Sequence, residues 1–229
     1  MKILVIIFFI SLGLLADKVT LSMGENSVIQ NISKDVLQRA YKRAGLEVDF
    51  KVMSFSDALI SSNSGHTDGE VSRVEKIVQS YPNLIKVPIA INYIEAAAFS
   101  KDKTMKIKNW NDLKAYKIGL VKGVKFIEKK THGFDKLVAA SYNEVFSLLD
   151  KDKIDIVVVP KLIGIYKIFK HNHQHIDVIN SSLMRLDLYH FVHKKNAYLI
   201  DKLVPVLEKM KESGEIKYIR SAYLRKISN

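Results

Sequence analysis

The sequence contains no cysteine. A protein without cysteine forms no disulfide, has no thiol nucleophile, and offers no attachment point for the lipid of a bacterial lipoprotein. Other chemistry-bearing patterns are also missing: there is no recognisable Ser-His-Asp order, no His-Glu-x-x-His motif and no phosphate-binding loop. The sequence therefore carries no motif for nucleophilic hydrolysis, zinc proteolysis or nucleotide binding, and we expect no cofactor.

Acidic residues are fewer than basic residues. The 229 residues include 36 Lys and Arg but only 24 Asp and Glu, which gives a formal net charge of +12. An excess of this kind is compatible with a nucleic acid or an anionic surface as partner. The basic residues are scattered along the chain, however, and no basic block is interleaved with aromatic residues. We therefore interpret them as solvent-exposed and expect no nucleic-acid partner.

One long apolar run stands at the start of the chain. It covers residues 3–15, follows the positively charged Lys2, and ends before Ala16 and Asp17. The run is short for a membrane span and no basic cluster follows it, so residues 1–16 are predicted to be a secretory signal peptide. An uncleaved N-terminal anchor is the alternative, because Leu14 is bulky for the third position before a cleavage site. Secretion without disulfides is typical of a bacterial periplasmic domain, so we expect a periplasmic protein that is not a lipoprotein.

Strand-like and helix-like segments alternate through the rest of the chain. Leu46 to Val52 alternates as a strand does, whereas residues 36–44 have apolar side chains at helical spacing, with Ser33 as the expected N-cap. Residues 154–159 are wholly apolar except Asp155, as in a strand buried on both faces. The pattern predicts an α/β fold with a largely parallel sheet. Since no repeat or low-complexity linker divides the chain, we expect two α/β lobes, the second inserted into the first.

The segment HTDGEVSRVEKIVQSYPNLIKVP, residues 66–88, brings an acidic pair and an arginine close together in sequence. We predict that Asp68-Gly69 ends a strand at the edge where an α/β sheet binds ligands. A short amphipathic helix over 74–81, stopped by Pro82, and strands over 84–94 and 96–99 are expected to follow. Two further expected elements precede the segment: a helix from Ser56 to Ser61 and a loop over 63–65.

Five segments in this order resemble one family over nearly the whole chain after residue 16. They are TDGEVSR at 67–73, YPNLIKVPIAI at 81–91, NWNDLKAYKIGLVKG at 109–123, KDKIDIVVVP at 151–160 and LVPVLEKMKESGEI at 203–216. They resemble the bacterial extracellular solute-binding proteins of family 3, which are type II periplasmic binding proteins. The resemblance implies two lobes around a ligand cleft: 17–98 and 193–229 form the first, and 99–192 form the second. It implies strand crossovers near 97–101 and 192–194.

The resemblance also implies where a ligand binds. Amino-acid-binding members hold the ligand carboxylate with an arginine of the first lobe, for which Arg73 is the candidate. They hold the ligand ammonium with an acid after the last buried strand of the second lobe, where this chain has Pro160 and Lys161. The loop that usually reads Gly-Thr or Gly-Ser reads Gly123-Val124-Lys125. These departures argue against a zwitterionic amino acid as the ligand.

The charges of the candidate residues point to an anionic ligand such as an organic acid. Arg73 can hold a carboxylate through two charge-assisted hydrogen bonds, and no acid is expected opposite it. Gly123, between a strand and a helix, lets backbone amides approach an anion. The candidate binding residues are Asn26, Gly69, Glu70, Arg73, Tyr93, Lys122, Gly123, Val124, Lys125, Pro160 and Lys161. Each also has a plain structural interpretation, as a turn, core or surface residue.

Two chemical alternatives stay open at this stage. Asp68, Glu70 and Arg73 are compatible with a general acid in a dehydratase-like enzyme, since some relatives of this fold catalyse reactions in the cleft. His171, His173 and His175 would share a face of a strand and could bind zinc, but a polar loop without a metal is the preferred interpretation. We predict a monomeric binding protein, not an enzyme, that presents a small solute to a membrane permease or a membrane sensor.

Overall fold

The computed structural model describes residues 18–25, 27–170 and 175–228. The signal-peptide prediction and the candidate residue Asn26 lie outside these ranges. The strands are β1 (Lys18–Gly24), β2 (Glu47–Met53), β3 (Gly69–Arg73), β4 (Leu84–Ser100), β5 (Ile118–Val121), β6 (Lys136–Ala139), β7 (Ile156–Pro160) and β8 (Asp177–His193). The helices are α1 (Val28–Arg43), α2 (Phe55–Ser64), α3 (Lys125–Lys130), α4 (Tyr142–Asp150), α5 (Lys161–Lys170), α6 (Tyr198–Glu212) and α7 (Glu215–Ser228). Short 3₁₀ helices occupy Glu75–Gln79, Trp110–Ala115 and Lys194–Asn196.

The strands form one eight-stranded sheet in the order β2-β1-β3-β8-β4-β7-β5-β6. The outer strands are parallel: β1 pairs with β2 and β3, and β5 pairs with β6 and β7. The two central strands, β4 and β8, are 17 residues long and run antiparallel to each other. The prediction of a largely parallel sheet therefore applies to the outer strands. The separate strands predicted over 84–94 and 96–99 are a single strand, β4.

Buried side chains form separate cores along these two central strands. One core packs β1, α1 and α6 together and includes Val87 and Ile91 of β4. Two others pack around β5 and β7 and include Ala96 and Phe99 of β4. We call the part built on β1–β3, α1, α2 and α6 the first lobe, and the part built on β5–β7 and α3–α5 the second lobe. On β4 the change of core falls between Ile91 and Ala96, before the predicted crossover.

The first helix begins earlier than predicted. Its N-cap is Ser27, whose side chain accepts a hydrogen bond from the Gln30 backbone N–H at 3.2 Å. The expected cap, Ser33, is buried inside the helix and donates its hydroxyl to the Ile29 carbonyl at 3.1 Å. The reason is that Ile29 and Ile32 continue the apolar face towards the N-terminus and are both buried.

Two other helical predictions in the first lobe also need correction. α2 is capped by Ser54 and continues to Ser64, where Gly65 takes the left-handed conformation with φ +80°. The predicted loop over 63–65 is therefore mostly helix. The predicted amphipathic helix over 74–81 is a 3₁₀ helix at Glu75–Gln79 without a buried residue.

Candidate functional site

Arg73 is the last residue of β3, at one edge of the first lobe. Because β1, β2 and β3 are parallel, their final residues Gly24, Met53 and Arg73 lie towards the same edge of the sheet. Arg73 Nε donates to Glu70 Oε1 at 2.7 Å, and its Nη2 donates to the Phe55 carbonyl at 2.8 Å. Its guanidinium carbon lies 4.7 Å from the centroid of the Phe55 ring. Phe55, which the sequence did not single out, is thus the direct neighbour of the candidate anchor.

The prediction that Asp68-Gly69 ends a strand is wrong. Asp68 precedes β3, and Gly69 is its first residue. A methyl group added to Gly69 would lie 2.3 Å from the Phe191 carbonyl oxygen, so the glycine lets β3 pack against β8. Asp68 accepts hydrogen bonds from the Thr20 N–H and from the Asn196 side-chain amide, both at 2.8 Å. Burial alone would raise the pKa of Asp68, but these two donors and Lys195 hold it below its usual value.

The Glu70 side chain is buried and does not lie at the end of β3 as Arg73 does. The Glu70 side chain is 0% exposed, and Oε2 accepts a hydrogen bond from the Ser22 hydroxyl at 2.9 Å. Burial raises the pKa of Glu70 to about 7, although Arg73 and Ser22 favour the charged form. A register shift between Glu70 and Arg73 interrupts the pairing of β3 with β8. In a regular strand these two side chains would point to opposite faces, so we infer that the irregularity permits their contact.

A buried histidine adjoins the same strand. His190 Nδ1 lies 2.8 Å from the Glu70 carbonyl oxygen, which only accepts, so Nδ1 carries the proton. Its Nε2, 2.9 Å from the Tyr41 hydroxyl, is then the acceptor. Burial lowers the pKa of His190 to about 4, so the ring is neutral near pH 7. The neutral imidazole joins α1, β3 and β8.

This burial predicts a pH dependence of stability. An unfolded histidine binds a proton near pH 6.5, whereas folded His190 does so only near pH 4. Between these values the unfolded state binds more protons, so this residue makes the free energy of unfolding rise with pH by up to about 3 kcal/mol. Urea unfolding of the wild type and His190→Gln at pH 4.5, 5.5 and 6.5 measures the effect. The difference between the two proteins should grow with pH, and a constant difference would contradict a buried neutral ring.

The second-lobe candidates surround the loop between β5 and α3. Gly123 has φ +91°, and its N–H donates to Glu128 Oε1 at 2.7 Å. The other carboxylate oxygen of Glu128 accepts from Lys125 Nζ at 3.0 Å. The Gly123 N–H and Lys125 together hold the pKa of Glu128 below its usual value. The amide that we expected to approach an anionic ligand therefore donates to a carboxylate of the chain itself.

Glu128 is a residue that the sequence reasoning missed. Its position three residues after Lys125, in the first turn of a helix, is a usable signal for such an ion pair. Val124, which directly precedes Lys125, is partly buried and packs against both cores of the second lobe. Lys122 is exposed, and so is Lys125.

The remaining candidates lie on the central strands or next to them. Pro160, buried at the end of β7, pairs with Ala96 of β4, and Lys161 begins α5. Tyr93 of β4 lies between two guanidinium groups: Arg185 is 3.7 Å and Arg220 is 3.8 Å from the ring centroid. Since two side chains stack on it, the Tyr93 ring is poorly placed to serve as a stacking platform for a ligand in this conformation.

The candidates fall into distinct groups. Glu70 and Arg73 contact each other, Gly69 lies in the same strand, and residues 122–125 share one loop. Within the described ranges, no hydrogen bond or ion pair joins Arg73 to the loop or to Lys161. The assignment of these residues to one ligand site stays a prediction.

In the part of the chain that the structure describes, no group of three or more His, Asp or Glu residues could hold a metal ion. His175 pairs with Asp150 Oδ1 at 2.8 Å, while His171 and His173 lie outside the described ranges. In the same part of the chain, no helix combines the length and apolar character needed to cross a membrane.

Comparison with known proteins relates this fold to solute-binding domains. No protein-family model matches the sequence, and no curated protein sequence matches it either. The structure resembles the ligand-binding core of GluR0 in complex with L-glutamate, with a TM-score of 0.73 at 15% identity, over 91% of this chain and 99% of that one. It also resembles a histidine kinase sensor domain similar to periplasmic binding proteins, with a TM-score of 0.68 at 17% identity, over 91% and 96% of the two chains.

A third similar structure comes from a protein proposed to be an amino acid ABC transporter of Streptococcus pneumoniae Canada MDR_19A. Its second substrate-binding domain matches with a TM-score of 0.69 at 17% identity, over 90% of this chain and 99% of that one. These similar structures are binding and sensor domains, and each match covers nearly the whole of both chains. The chain has the two-lobed α/β fold of the type II periplasmic binding proteins.

Proposed function

We propose that this chain is a periplasmic solute-binding protein that captures a small polar solute between its two lobes. The observation that carries the proposal is the pair of long central strands, β4 and β8, along which the chain passes from one set of cores to the other. Such crossings allow two lobes to close around a ligand by hinge bending. In the proposed division, 17–98 and 193–229 form the first lobe and 99–192 the second, and residues 1–16 are a cleaved signal peptide.

The proposed anchor for the solute is Arg73. Its Nε and Nη2 are engaged by Glu70 and Phe55, whereas Nη1 has no hydrogen-bond partner among the described residues. An anionic group, such as the carboxylate of an organic acid, is the ligand that a guanidinium favours. Lys122 and Lys161 add positive charge. The other two candidate cations each pair with an acid of the chain, Arg73 with Glu70 and Lys125 with Glu128. The proposed preference for an anion therefore depends on Nη1 of Arg73 together with the charges of Lys122 and Lys161.

A binding role is favoured over dehydratase-like catalysis. A general acid must reach the leaving group of its substrate, and Glu70 is fully buried between Ser22 and Arg73. Asp68 is engaged by Thr20 and Asn196 at the opposite end of β3. We therefore propose no catalytic residue and no cofactor.

The proposed partner is a membrane protein that recognises the monomeric, solute-loaded form. A permease of an ABC transporter is the first candidate, because a substrate-binding domain of a transporter is among the similar structures. A membrane sensor is the second candidate, because a histidine kinase sensor domain is similar over nearly the same part of the chain. A permease would take the solute from the protein, whereas a sensor would respond to closure of its lobes.

A thermal-shift screen over organic acids, amino acids and polyamines tests the proposal. A solute at 100 times its dissociation constant stabilises the protein by about 2.7 kcal/mol, which raises the melting temperature of a chain of this size by roughly 5 to 10 °C. The shift should disappear in Arg73→Gln and persist in Arg39→Gln, a control arginine exposed on α1.

Three outcomes of this screen would count against the proposal. The absence of any shift would contradict solute binding from these classes. Tight binding of neutral or cationic amino acids without binding of carboxylic acids would contradict the anionic ligand. An unchanged shift in Arg73→Gln would contradict the anchor.

A further inference from the structure

The C-terminal helix α7 contacts both lobes. Near its start, Glu215 accepts hydrogen bonds from Arg43 of α1 at 2.6 and 3.0 Å. Near its end, Leu224 packs against a buried apolar cluster that includes Ile29 of α1 and Leu162 of α5. Because α1 belongs to the first lobe and α5 to the second, α7 extends over the boundary between them.

Arg220 attaches the middle of this helix to the central strand β4. The residue is 5% exposed, and its Nη1 donates to the Asn92 side-chain oxygen and to the Tyr93 carbonyl. Its guanidinium also stacks on the Tyr93 ring, opposite Arg185 of β8. Hydrogen bonds donated by a charged group are stronger than those between two neutral groups. The attachment lies at residues 92–93, within the part of β4 where the chain changes core.

A buried polar network continues from this attachment to β3. The Asn92 side-chain amide donates to the Ile29 carbonyl and to the Ser33 hydroxyl, both at 3.0 Å. Ser33 in turn accepts from the Ser72 hydroxyl at 2.9 Å. Ser72 directly precedes Arg73. The network therefore runs from α7 through the central strand and α1 to the residue beside the proposed anchor.

We propose that α7 is a strap that holds the two lobes at one separation, fastened to β4 by Arg220 and to the second lobe by Leu224. When the lobes move apart, the packing of α7 against α5 and against the cluster that includes Leu162 is lost, or the bonds of Arg220 to β4 break. Both changes have a cost: the first exposes apolar surface, and the second leaves the buried Arg220 guanidinium without its Asn92 and Tyr93 acceptors. The strap favours one lobe separation even when no solute is bound.

The absence of cysteine permits a direct test, since two introduced cysteines can be labelled uniquely. Lys51→Cys in the first lobe and Lys129→Cys in the second place spin labels at exposed positions for distance measurement by pulsed electron resonance. In the full chain without solute, we expect one narrow distance distribution. Arg220→Gln should broaden it or move it to longer distances.

Arg185→Gln is the matched control. Arg185 stacks on the same ring, but its side chain is 53% exposed and pairs with Asp187 instead of joining the buried network. It should leave the distribution unchanged. An unchanged distribution in Arg220→Gln, or equal broadening in both variants, would overturn the proposal, because the buried network would then not be the restraint.

Two further variants cover the case in which Arg220→Gln does not fold. Arg220→Lys keeps the charge but loses the planar fork, and Leu224→Ala removes part of the packing of α7 against the cluster that includes Leu162. Each should broaden the distribution in a folded protein, as checked by circular dichroism, and a narrow distribution in both would again overturn the strap. The distance measurement uses no solute, so its result tests the strap independently of the proposed binding function.

Discussion

Replacing Glu70 with alanine is expected to lower the free energy of unfolding by about 3 to 5 kcal/mol, the usual cost of removing one partner from a buried ion pair. Glu70 is fully buried and Arg73 is 12% exposed, so solvent replaces little of the lost interaction. The Ser22 hydroxyl keeps the Ala58 carbonyl as an acceptor at 2.8 Å, so the expected cost comes from Arg73. Urea unfolding at pH 8, above the raised pKa of Glu70, measures the change with the carboxylate ionised.

Asp187→Ala is the matched control for this prediction. Asp187 also pairs with an arginine close in sequence, Arg185, at 3.1 Å, but both side chains are exposed. Exposed pairs of this kind contribute about 0 to 1 kcal/mol. A loss in Glu70→Ala no larger than that in Asp187→Ala would show that Arg73 reaches solvent and needs no buried partner.

Gly69→Ala is expected to destabilise the protein by about 1 to 3 kcal/mol, the range for forcing extra atoms into a packed interior. The new methyl carbon would lie 2.3 Å from the Phe191 carbonyl oxygen and 3.1 Å from Val192 Cα, and both are backbone atoms. Relief requires β3 and β8 to separate, which weakens the pairing that includes Glu70 and Phe191. The midpoint of urea unfolding measures the loss of stability, and hydrogen exchange at the Val192 amide measures the weaker pairing of β3 with β8.

The same substitution at Gly24 separates crowding from the general effect of alanine in a strand. The three atoms nearest to a methyl group there all belong to the Phe55 ring, the closest at 2.6 Å, and Phe55 is 44% exposed, so its side chain can turn away. Gly24→Ala should therefore cost less than Gly69→Ala. Equal losses at the two positions would contradict a special requirement for glycine between β3 and β8.

Local patterns identified most helices and strands, but failed where tertiary contacts decide the outcome. The strand predicted from Leu46 to Val52 was confirmed as β2, because alternation of side chains is a pattern within one short segment. Ser33 was wrongly predicted as a cap, since the burial of Ile29 and Ile32 depends on partners in α5 and β8. The continuity of β4 and β8 was likewise missed, because it depends on their pairing with each other.

The candidate site was less predictable than the fold. The contact between Glu70 and Arg73 accompanies a register shift that no alternating pattern encodes. Arg220, far away in sequence, reaches Asn92 and Tyr93 only because α7 packs on the central strand. In the loop after β5, by contrast, Glu128 was within reach of sequence reasoning, since it lies one helical turn from Lys125.

The position of β8 in the sheet has a consequence for the order of folding. β8 lies between β3 and β4, yet it is the last strand of the sheet along the chain. During synthesis, β3 therefore has no neighbour on one side until all the other strands have been made. Pairings between segments so distant in sequence form slowly, because a long loop must close before they contribute. We expect β1–β3 to stay incompletely ordered until β8 inserts, whereas β4–β7 can pair with one another before β8 is made.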